Sequence, residues 1–126
     1  MRYLGIDYGA KRTGVAISDE KGEFAFPLSV LETSDNLVGQ ISKICTENNI
    51  GEIVVGKSQN FSFQDNKIMK EIVPFVEKLK SAVSLPVRLY PEFLTSQEAE
   101  RLQGKNEMHD ASAAALILKH FLETKK

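Results

Sequence analysis

The sequence predicts an α/β protein with a mixed sheet of five strands, and three observations carry that prediction. Residues 2–31 contain three β-favouring segments joined by tight turns, which is the pattern of an antiparallel meander. After residue 34 the apolar residues recur at spacings of three and four, which indicates helices. Two further strand-like segments alternate with these helices, and right-handed crossovers make such strands parallel to the first.

The first three strands are predicted from their composition and their connections. Arg2–Asp7 and Thr13–Ser18 are apolar, β-favouring stretches, and the short link 8–12 contains a turn glycine, as a hairpin requires. A third strand is predicted from Glu23 to Leu31. Because proline has no N–H to donate within a sheet, Pro27 places this third strand at an edge.

A helix and a buried strand follow the meander. Ser34 or Asp35 is predicted to cap the helix, which ends near residues 49–51. The next segment, 53–55, is an unalternated apolar run bounded by Gly56, which is typical of a strand covered on both faces. The helix has apolar positions spaced for one buried face: Leu37, Val38, Ile41, Ile44 and Cys45.

The second half of the chain continues the alternation of helix and strand. A helical stripe spans residues 68–79, where Pro74 marks either a kink or a late start. A fifth strand covers Pro86–Tyr90. The Thr-x-x-Glu spacing at Thr95 is that of a capping box and predicts a short helix. A terminal helix follows Asp110, so the predicted order is βββαβαβαα.

One connection stands out by its length. The polar segment 57–66 is longer than an ordinary connection, and we expect it to be a mobile loop over a functional site. Phe61 and Phe63 interrupt it. They either stack on bases or pack into the core, and the sequence leaves both alternatives open.

Composition limits the class of protein. The chain has 126 residues, and we expect one domain over residues 1–126. The single Cys45 excludes an intramolecular disulfide and a cysteine-rich zinc module, which favours a reducing, cytoplasmic location. No apolar run reaches the ~20 residues of a membrane span. A formal net charge of -1 excludes a globally basic protein but is compatible with one basic face.

Three acidic residues lie where predicted elements meet. Asp7 ends the first strand, Glu92 follows the fifth, and Asp110 begins the terminal helix. If the later strands are parallel to the first, Asp7 and Glu92 emerge at the same edge of the sheet, and the first turn of the helix that begins at Asp110 can lie over that edge. Carboxylates gathered there repel one another unless a cation lies between them, and hard divalent cations prefer oxygen ligands. The alternative is that Asp110 only caps its helix and Glu92 is a solvated surface residue.

Two adjacent cations, Lys11 and Arg12, lie in the first hairpin close to the first of these acidic residues. They suit the binding of a phosphate group, and the alternative is an ordinary polar hairpin tip. Gly5, Gly9 and Gly14 precede a strand rather than a helix, which argues against a dinucleotide-binding motif.

The segment 5–19, GIDYGAKRTGVAISD, has the pattern G-x-D-x-G-x-K-R-x-G-V-A-x-S-D. In this pattern the chain resembles the bacterial YqgF family, RNase H-like proteins described as pre-16S rRNA nucleases or Holliday-junction-resolvase-like proteins. The resemblance continues through residues 53–56, 86–95 and 110–118. It therefore spans nearly the whole chain.

The resemblance implies an RNase H-like fold, in which three antiparallel strands are followed by two parallel ones, with helices packed on both faces. It also implies acidic residues that bind Mg²⁺ or Mn²⁺ for phosphodiester hydrolysis. Position by position, the acidic residues of the family match Asp7, Glu92 and Asp110, which are the implied catalytic and metal-binding residues. The basic pair of the family matches Lys11 and Arg12, the implied ligands of substrate phosphate.

The chain departs from the family pattern at two places. Where the family reads Asp-Glu-Arg-x-Thr, this chain reads Pro-Glu-Phe-Leu-Thr, so Pro91 and Phe93 replace an acidic and a basic residue. Where the family has Gly-Leu-Pro after the fourth strand, this chain has Gly-Lys-Ser. We interpret Lys57 as a phosphate-binding cation that compensates for the missing arginine. These departures bear on activity rather than on fold.

The sequence thus predicts a metal-dependent endonuclease acting on structured nucleic acid, with precursor 16S rRNA favoured as substrate and a role in ribosome biogenesis. Two alternatives remain open. One is resolution of branched DNA in recombination, which requires two active sites and hence a homodimer. The other is a non-catalytic RNA-binding protein that kept the fold after losing the Asp-Glu-Arg chemistry. The sequence does not decide between a monomer and a homodimer, and no membrane partner is expected.

Overall fold

The computed structural model of the protein describes residues 1–9, 11–58, 65–92 and 109–124, of which residues 57–58, 65–71, 91–92, 109–110 and 112 are described by their backbone alone. The described elements alternate in the predicted order up to the fifth strand, and a helix follows. They are strands β1 (Arg2–Asp7), β2 (Arg12–Ser18) and β3 (Ala25–Glu32), helix α1 (Leu37–Glu47), strand β4 (Ile50–Ser58), helix α2 (Asp65–Val83), strand β5 (Val87–Glu92) and helix α3 (His109–Thr124).

The five strands form one mixed sheet in the order β3-β2-β1-β4-β5. β1 pairs with β2 and β2 with β3 in antiparallel fashion, whereas β1 and β4, and β4 and β5, are parallel. The predicted meander and the parallel crossovers are therefore both confirmed. The sheet has β1 at its centre, flanked by one antiparallel and one parallel neighbour.

The edge position predicted for the third strand from Pro27 is confirmed, but β3 begins at Ala25 rather than at Glu23. The carboxylate of Asp19 accepts hydrogen bonds from the backbone N–H groups of Glu23 at 2.7 Å and Phe24 at 3.0 Å. These amides are used in the turn, so the strand starts after them. The hydrogen bond from Phe24 is the largest cause that lowers the pKa of Asp19.

The start of α1 differs from the prediction. Its N-cap is Asn36 rather than Ser34 or Asp35, and the Asn36 side chain makes no capping hydrogen bond. The backbone carbonyl of Ser34 accepts a hydrogen bond from the N–H of Leu37 at 3.1 Å instead. The first amide of the helix therefore has a main-chain acceptor, where a capping side chain was predicted.

Three other predicted boundaries are corrected. Residues 50–51, predicted to end the helix, begin β4, because the chain reverses at Asn49 with a left-handed φ of 54°. Gly56, predicted to bound the fourth strand, lies inside β4. Pro74 lies within α2, which begins at Asp65, so a late start at the proline is wrong. The predicted loop at 57–66 is correspondingly shorter, since its first and last two residues belong to β4 and α2.

One apolar core lies between the sheet and the pair of helices α1 and α2. Residues 53–55 are fully buried, as their unalternated apolar sequence predicts. Because strand side chains alternate between faces, Val54 belongs instead to a second core beneath α3. The first core contains Leu4, Ile6, Val15, Leu37, Ile41, Cys45, Ile53, Val55, Ile72, Val76 and Leu79 among others. Helices therefore cover both faces of the sheet, as predicted.

Within the described part of the chain, no helix combines the length and the apolar character that a membrane crossing requires. The nineteen-residue α2 is the longest of them, and its apolar residues form a stripe among charged ones. That stripe packs against the sheet, with Ile72, Val76 and Leu79 buried.

Cys45 is the one cysteine of the chain, and it lies buried in the first core, as its helical spacing predicts. Burial raises the pKa of its thiol to about 11, from an ordinary value of 9.0. Between about pH 9 and pH 11 the unfolded chain loses this proton and the folded chain keeps it. The free energy of unfolding therefore falls as the pH rises through this window.

We expect urea denaturation at pH 8 and pH 10.5 to show this loss, of the order of 1 kcal/mol, in the wild type. The matched Cys45→Ala variant removes the thiol and keeps every other titrating group. Its stability should fall less over the same pH interval, and equal losses in the two proteins would contradict the assignment.

Candidate active site

The carboxyl ends of β1, β4 and β5 lie at the same end of the sheet, because these three strands are parallel. We call this end of the sheet the carboxyl edge. In the register, Asp7 of β1 pairs with Gly56 of β4, which pairs with Tyr90 of β5. Glu92 is the last residue of β5 and pairs with Ser58 two residues beyond that level. The backbone positions of Asp7 and Glu92 are therefore at the same edge, as predicted from parallel strands.

Asp7 lies on the face of the sheet that α3 covers. Successive strand residues point to opposite faces, and Ile6 belongs to the core beneath α1 and α2. Tyr3 faces α3, with its ring centroid 6.0 Å from that of Phe121, and Gly5 lies under the same helix. Asp7 follows in the same alternation and is half-buried. Its side chain therefore projects on the side of α3.

Helix α3 runs antiparallel to β1 and begins at the edge just described. Phe121, near the helix end, packs on Tyr3 at the start of β1, and Leu118 lies against Gly5 in the middle of the strand. Asp110 precedes Leu118 by eight residues, which is about 12 Å of helix. The backbone of Asp110 therefore lies at the carboxyl edge of the sheet rather than over its centre.

The element boundaries place two of these acidic residues differently from the prediction. Helix α3 begins at His109, so Asp110 lies in its first turn rather than at an N-cap preceding it. Glu92 belongs to β5, which extends two residues beyond the predicted end at Tyr90. Both residues are thus held by regular backbone structure at the sheet edge. A carboxylate in the first turn of a helix also interacts favourably with the positive end of the helix dipole.

The chemistry of these donors fits a hard divalent cation. Three carboxylates supply the oxygen ligands that Mg²⁺ and Mn²⁺ prefer. Among the side chains that the structure describes, no group of three His, Cys, Asp or Glu is close enough to hold a metal. The side chains of Glu92 and Asp110 are not in that set. The fit therefore rests on the backbone placement of the three positions and their donor chemistry, and metal binding stays a prediction.

Two of the predicted phosphate-binding cations, Lys11 and Arg12, lie at the same edge of the sheet as the end of β1. Asp7 pairs with Gly14, so Arg12 at the start of β2 lies two residues beyond the level of Asp7 on the neighbouring strand. Lys11 and Arg12 are both exposed. The carbonyl of Lys11 accepts a hydrogen bond from the N–H of Thr33 at 3.0 Å, which ties this part of the hairpin to the end of β3.

Lys57, the third predicted cation, is placed by its backbone alone. It follows Gly56 in β4 and pairs with Pro91 of β5. Its position is therefore one residue beyond the level of Asp7, between the strands that carry Asp7 and Glu92. The role of Lys57 in binding phosphate stays a prediction.

Two glycines position α3, a role that was not predicted for them. An ideal Cβ on Gly5 would lie 2.8 Å from the Cβ of Leu118, and one on Gly56 would lie 2.6 Å from the Cγ2 of Ile117. Helix α3 lies this close to the sheet because both strand residues lack a side chain. A glycine inside a strand is itself a signal of close backbone approach, and the signal was present at both positions.

Several sequence predictions lie outside the described residues. They are the capping-box helix at Thr95, the replacement at Phe93, and the contacts of Phe61 and Phe63. These stay predictions.

The arrangement of strands and helices is similar to that of solved Holliday junction resolvases. The structure of Thermus thermophilus RuvC matches with a TM-score of 0.67 at 16% identity, covering 99% of this chain and 96% of that chain. The fowlpox virus Holliday junction resolvase matches with a TM-score of 0.54 at 15% identity, covering 98% and 99%. At such identities the likeness concerns the fold.

The chain belongs to the RuvX family, since the family model described as "RuvX: Holliday junction resolvase" matches residues 1–124. A protein of Nitratidesulfovibrio vulgaris (strain DSM 19637 / Miyazaki F), named "Putative pre-16S rRNA nuclease", is 40% identical over 97% of this chain and 93% of its own length. A protein of the same name from Thermoanaerobacter pseudethanolicus is 36% identical over 100% and 99%. The resemblance noted at residues 5–19 is confirmed, and the names describe nucleases.

Proposed function

We propose that this protein is a metal-dependent endonuclease that hydrolyses phosphodiester bonds in structured nucleic acid, with precursor 16S rRNA as its substrate. One observation carries the proposal. The backbone positions of Asp7, Glu92 and Asp110, which are distant in sequence, converge at the carboxyl edge of the parallel strands. The names of the full-length relatives favour the ribosomal RNA precursor.

Asp7, Glu92 and Asp110 are the residues that would hold Mg²⁺ or Mn²⁺. Such ions, when bound, supply an attacking water of lowered pKa and stabilise the charge on the leaving oxygen. Asp7 is the central member of the set, because its strand lies in the middle of the sheet and its side chain is on the face of α3. It is half-buried, so solvent screens its charge less than that of a surface carboxylate.

Three basic residues at the carboxyl edge hold the substrate: Lys11, Arg12 and Lys57. Lys11 and Arg12 are exposed at the carboxyl edge, one strand away from Asp7, and they bind the phosphates next to the cleaved bond. Lys57 provides a further phosphate contact between β1 and β5. In this arrangement the Lys57 contact takes the place of the arginine that Phe93 replaces, and Glu92 acts without the neighbouring carboxylate that Pro91 replaces.

A second candidate is resolution of branched DNA, favoured by the family description and by the RuvC-type fold. Symmetrical cleavage of a four-way junction requires two copies of the active site, so this function implies a homodimer. Cleavage of a ribosomal RNA precursor needs only one active site, so it does not require a dimer.

The two substrates are to be compared directly. We expect the purified protein to cleave an RNA containing the 5′ region of precursor 16S rRNA at least about tenfold faster than a four-way DNA junction, at matched salt and with Mg²⁺ or Mn²⁺. Salt must be matched because nonspecific attraction to phosphate weakens steeply as it rises. A chelator should stop the reaction, and the Asp7→Asn variant supplies the background rate.

The outcome separates the candidate functions. Faster symmetrical cleavage of the junction by a dimer would replace the RNA assignment with the DNA one. Salt-sensitive retention of RNA, without cleavage of either substrate under any divalent cation, would identify a non-catalytic RNA-binding protein and reject the proposed activity.

A further inference from the structure

A cavity of about 450 Å³ opens beside the candidate active site, on the opposite face of the sheet. Tyr8 and Phe75 form an aromatic wall, with ring centroids 4.8 Å apart and planes inclined at 33°. Pro74 and the start of α1 add further apolar surface. The volume is in the range of about 300–1,000 Å³ that is typical of small-ligand sites.

Two charged side chains of opposite sign line the cavity, beside the hydroxyl groups of Tyr8, Thr33 and Ser34. Asp35 from the segment before α1 and Lys78 from α2 both line the cavity, and both are exposed. An isolated phosphate would be attracted by Lys78 and repelled by Asp35. A neutral planar group with hydrogen-bond donors and acceptors on its edge suits both residues, while its faces suit the aromatic wall.

The cavity is joined to the active-site edge by the main chain. Tyr8 directly follows Asp7, and its backbone N–H donates a hydrogen bond to the carbonyl of Gly56 at 3.3 Å. The hydroxyl of Thr33, another lining residue, donates a hydrogen bond to the carbonyl of Gly9 at 2.7 Å. Both walls are thereby tied to the end of β1, and the cavity and Asp7 lie on the two sides of one sheet edge.

We propose that this cavity binds an unpaired nucleobase of the substrate strand, adjacent to the phosphodiester bond at Asp7, an inference that rests on the proposed function. A strand that crosses the sheet edge presents its phosphate to the face with Asp7 and an adjacent base to the face with Tyr8. The base stacks on the aromatic wall, and Asp35 and Lys78 bind its edge. The enzyme thereby selects unpaired nucleotides at the cleavage site.

Lys78 and Lys80 offer a matched test. Both are exposed on α2 and both carry one positive charge, but only Lys78 lines the cavity. The binding of a labelled single-stranded adenosine tetraribonucleotide is measured in an Asp7→Asn background, so that no cleavage occurs. We expect Lys78→Ala to weaken binding about five- to tenfold and Lys80→Ala to weaken it less than about twofold.

A tetramer with the same phosphates and no bases provides the second comparison. It should bind about tenfold more weakly than the adenosine tetramer, and Lys78→Ala should change its affinity no more than Lys80→Ala does. Equal effects of the two lysine variants on the adenosine tetramer, or equal affinity for the two tetramers, would overturn the proposal. Either result would leave nonspecific attraction to phosphate as the whole of the binding.

Tryptophan fluorescence locates the base independently of charge. The chain has no tryptophan, so Val38→Trp introduces a single reporter at the cavity wall and Gln40→Trp introduces one at an exposed site of the same helix. Stacking of a base should quench the fluorescence of the first reporter at least about twice as strongly as that of the second. Equal quenching of both, or quenching of neither, would place the base elsewhere.

Failure of this proposal is distinguishable from failure of the proposed function. Metal-dependent cleavage that Asp7→Asn abolishes, combined with base-independent tetramer binding, would reject the cavity assignment and keep the nuclease. Base-dependent binding that needs Lys78, without cleavage of any substrate, would reject the nuclease and keep the nucleobase site.

Discussion

Replacement of Asp7 by asparagine is expected to lower Mg²⁺- or Mn²⁺-dependent cleavage at least about a thousandfold while leaving the fold intact. The substitution keeps the size of the side chain and removes its negative charge. Asp7 lies half-buried at the end of the central strand, on the face of α3. A cation held there by carboxylates loses a charged oxygen ligand, and the remaining amide oxygen is a weaker one.

The measurement is the initial rate of cleavage of labelled precursor RNA at saturating metal, combined with circular dichroism and thermal denaturation. We expect the free energy of unfolding to change by less than about 1 kcal/mol, because the substitution creates no cavity and no steric overlap. Asp19→Asn is the matched control. Asp19 lies in the turn after β2, at the opposite edge of the sheet, and its carboxylate binds backbone amides.

Cleavage by Asp7→Asn at the wild-type rate would reject the assignment of the active site to this edge. A comparable loss in Asp19→Asn would point to a general loss of structure instead. Glu92→Gln and Asp110→Asn extend the test, since both should behave as Asp7→Asn does if the three positions share a metal site.

The strands and their mixed order could be predicted because each rests on a local signal. The hairpin follows from two apolar, β-favouring stretches joined by a short link with a turn glycine, and the edge position of β3 follows from the missing N–H of Pro27. The convergence of Asp7 and Glu92 at one edge follows from the direction of the crossovers. These are properties of short segments and of chain connectivity, which the sequence states directly.

Features that depend on contacts between distant segments could not be predicted in this way. Glutamate side chains are usually exposed, yet Glu52 is only 6% exposed. Its carboxylate accepts a hydrogen bond from the Nε of Arg88 at 2.9 Å. The N-cap at Asn36 depends on a main-chain turn at Ser34 that no residue type specifies. The cavity beside Tyr8 is formed by residues from the end of β1, the start of α1 and α2, so it can be located only once the positions of these elements are known.

Replacement of Gly5 by alanine is expected to lower the free energy of unfolding by about 2 to 3 kcal/mol. The added Cβ would lie 2.8 Å from the Cβ of Leu118 and 3.1 Å from the carbonyl oxygen of Ala114. Both neighbours are fixed by the backbone of α3, so neither contact is relieved by a rotation of a side chain. The helix must move away from the sheet, and its packing in the second core is lost in part.

Gly39→Ala is the same chemical change in a different environment, and it should have the opposite sign. Gly39 lies in α1, and a Cβ there meets nothing within 4 Å. Alanine stabilises a helix relative to glycine by up to about 1 kcal/mol, because it restricts the unfolded chain and lacks a steric cost here. Urea denaturation of the two variants and the wild type measures both effects under identical conditions.

The Gly5→Ala variant also links the packing of α3 to the active site. Because α3 carries Asp110 to the sheet edge, a displaced helix should slow metal-dependent cleavage even at low temperature, where most of the variant is folded. The rate should fall at least about tenfold, and higher metal concentration should restore part of it if the loss lies in metal affinity. Gly39→Ala should cleave at the wild-type rate. A Gly5→Ala protein that is destabilised but cleaves normally when folded would show that the position of α3 does not determine the active site, and would remove Asp110 from it.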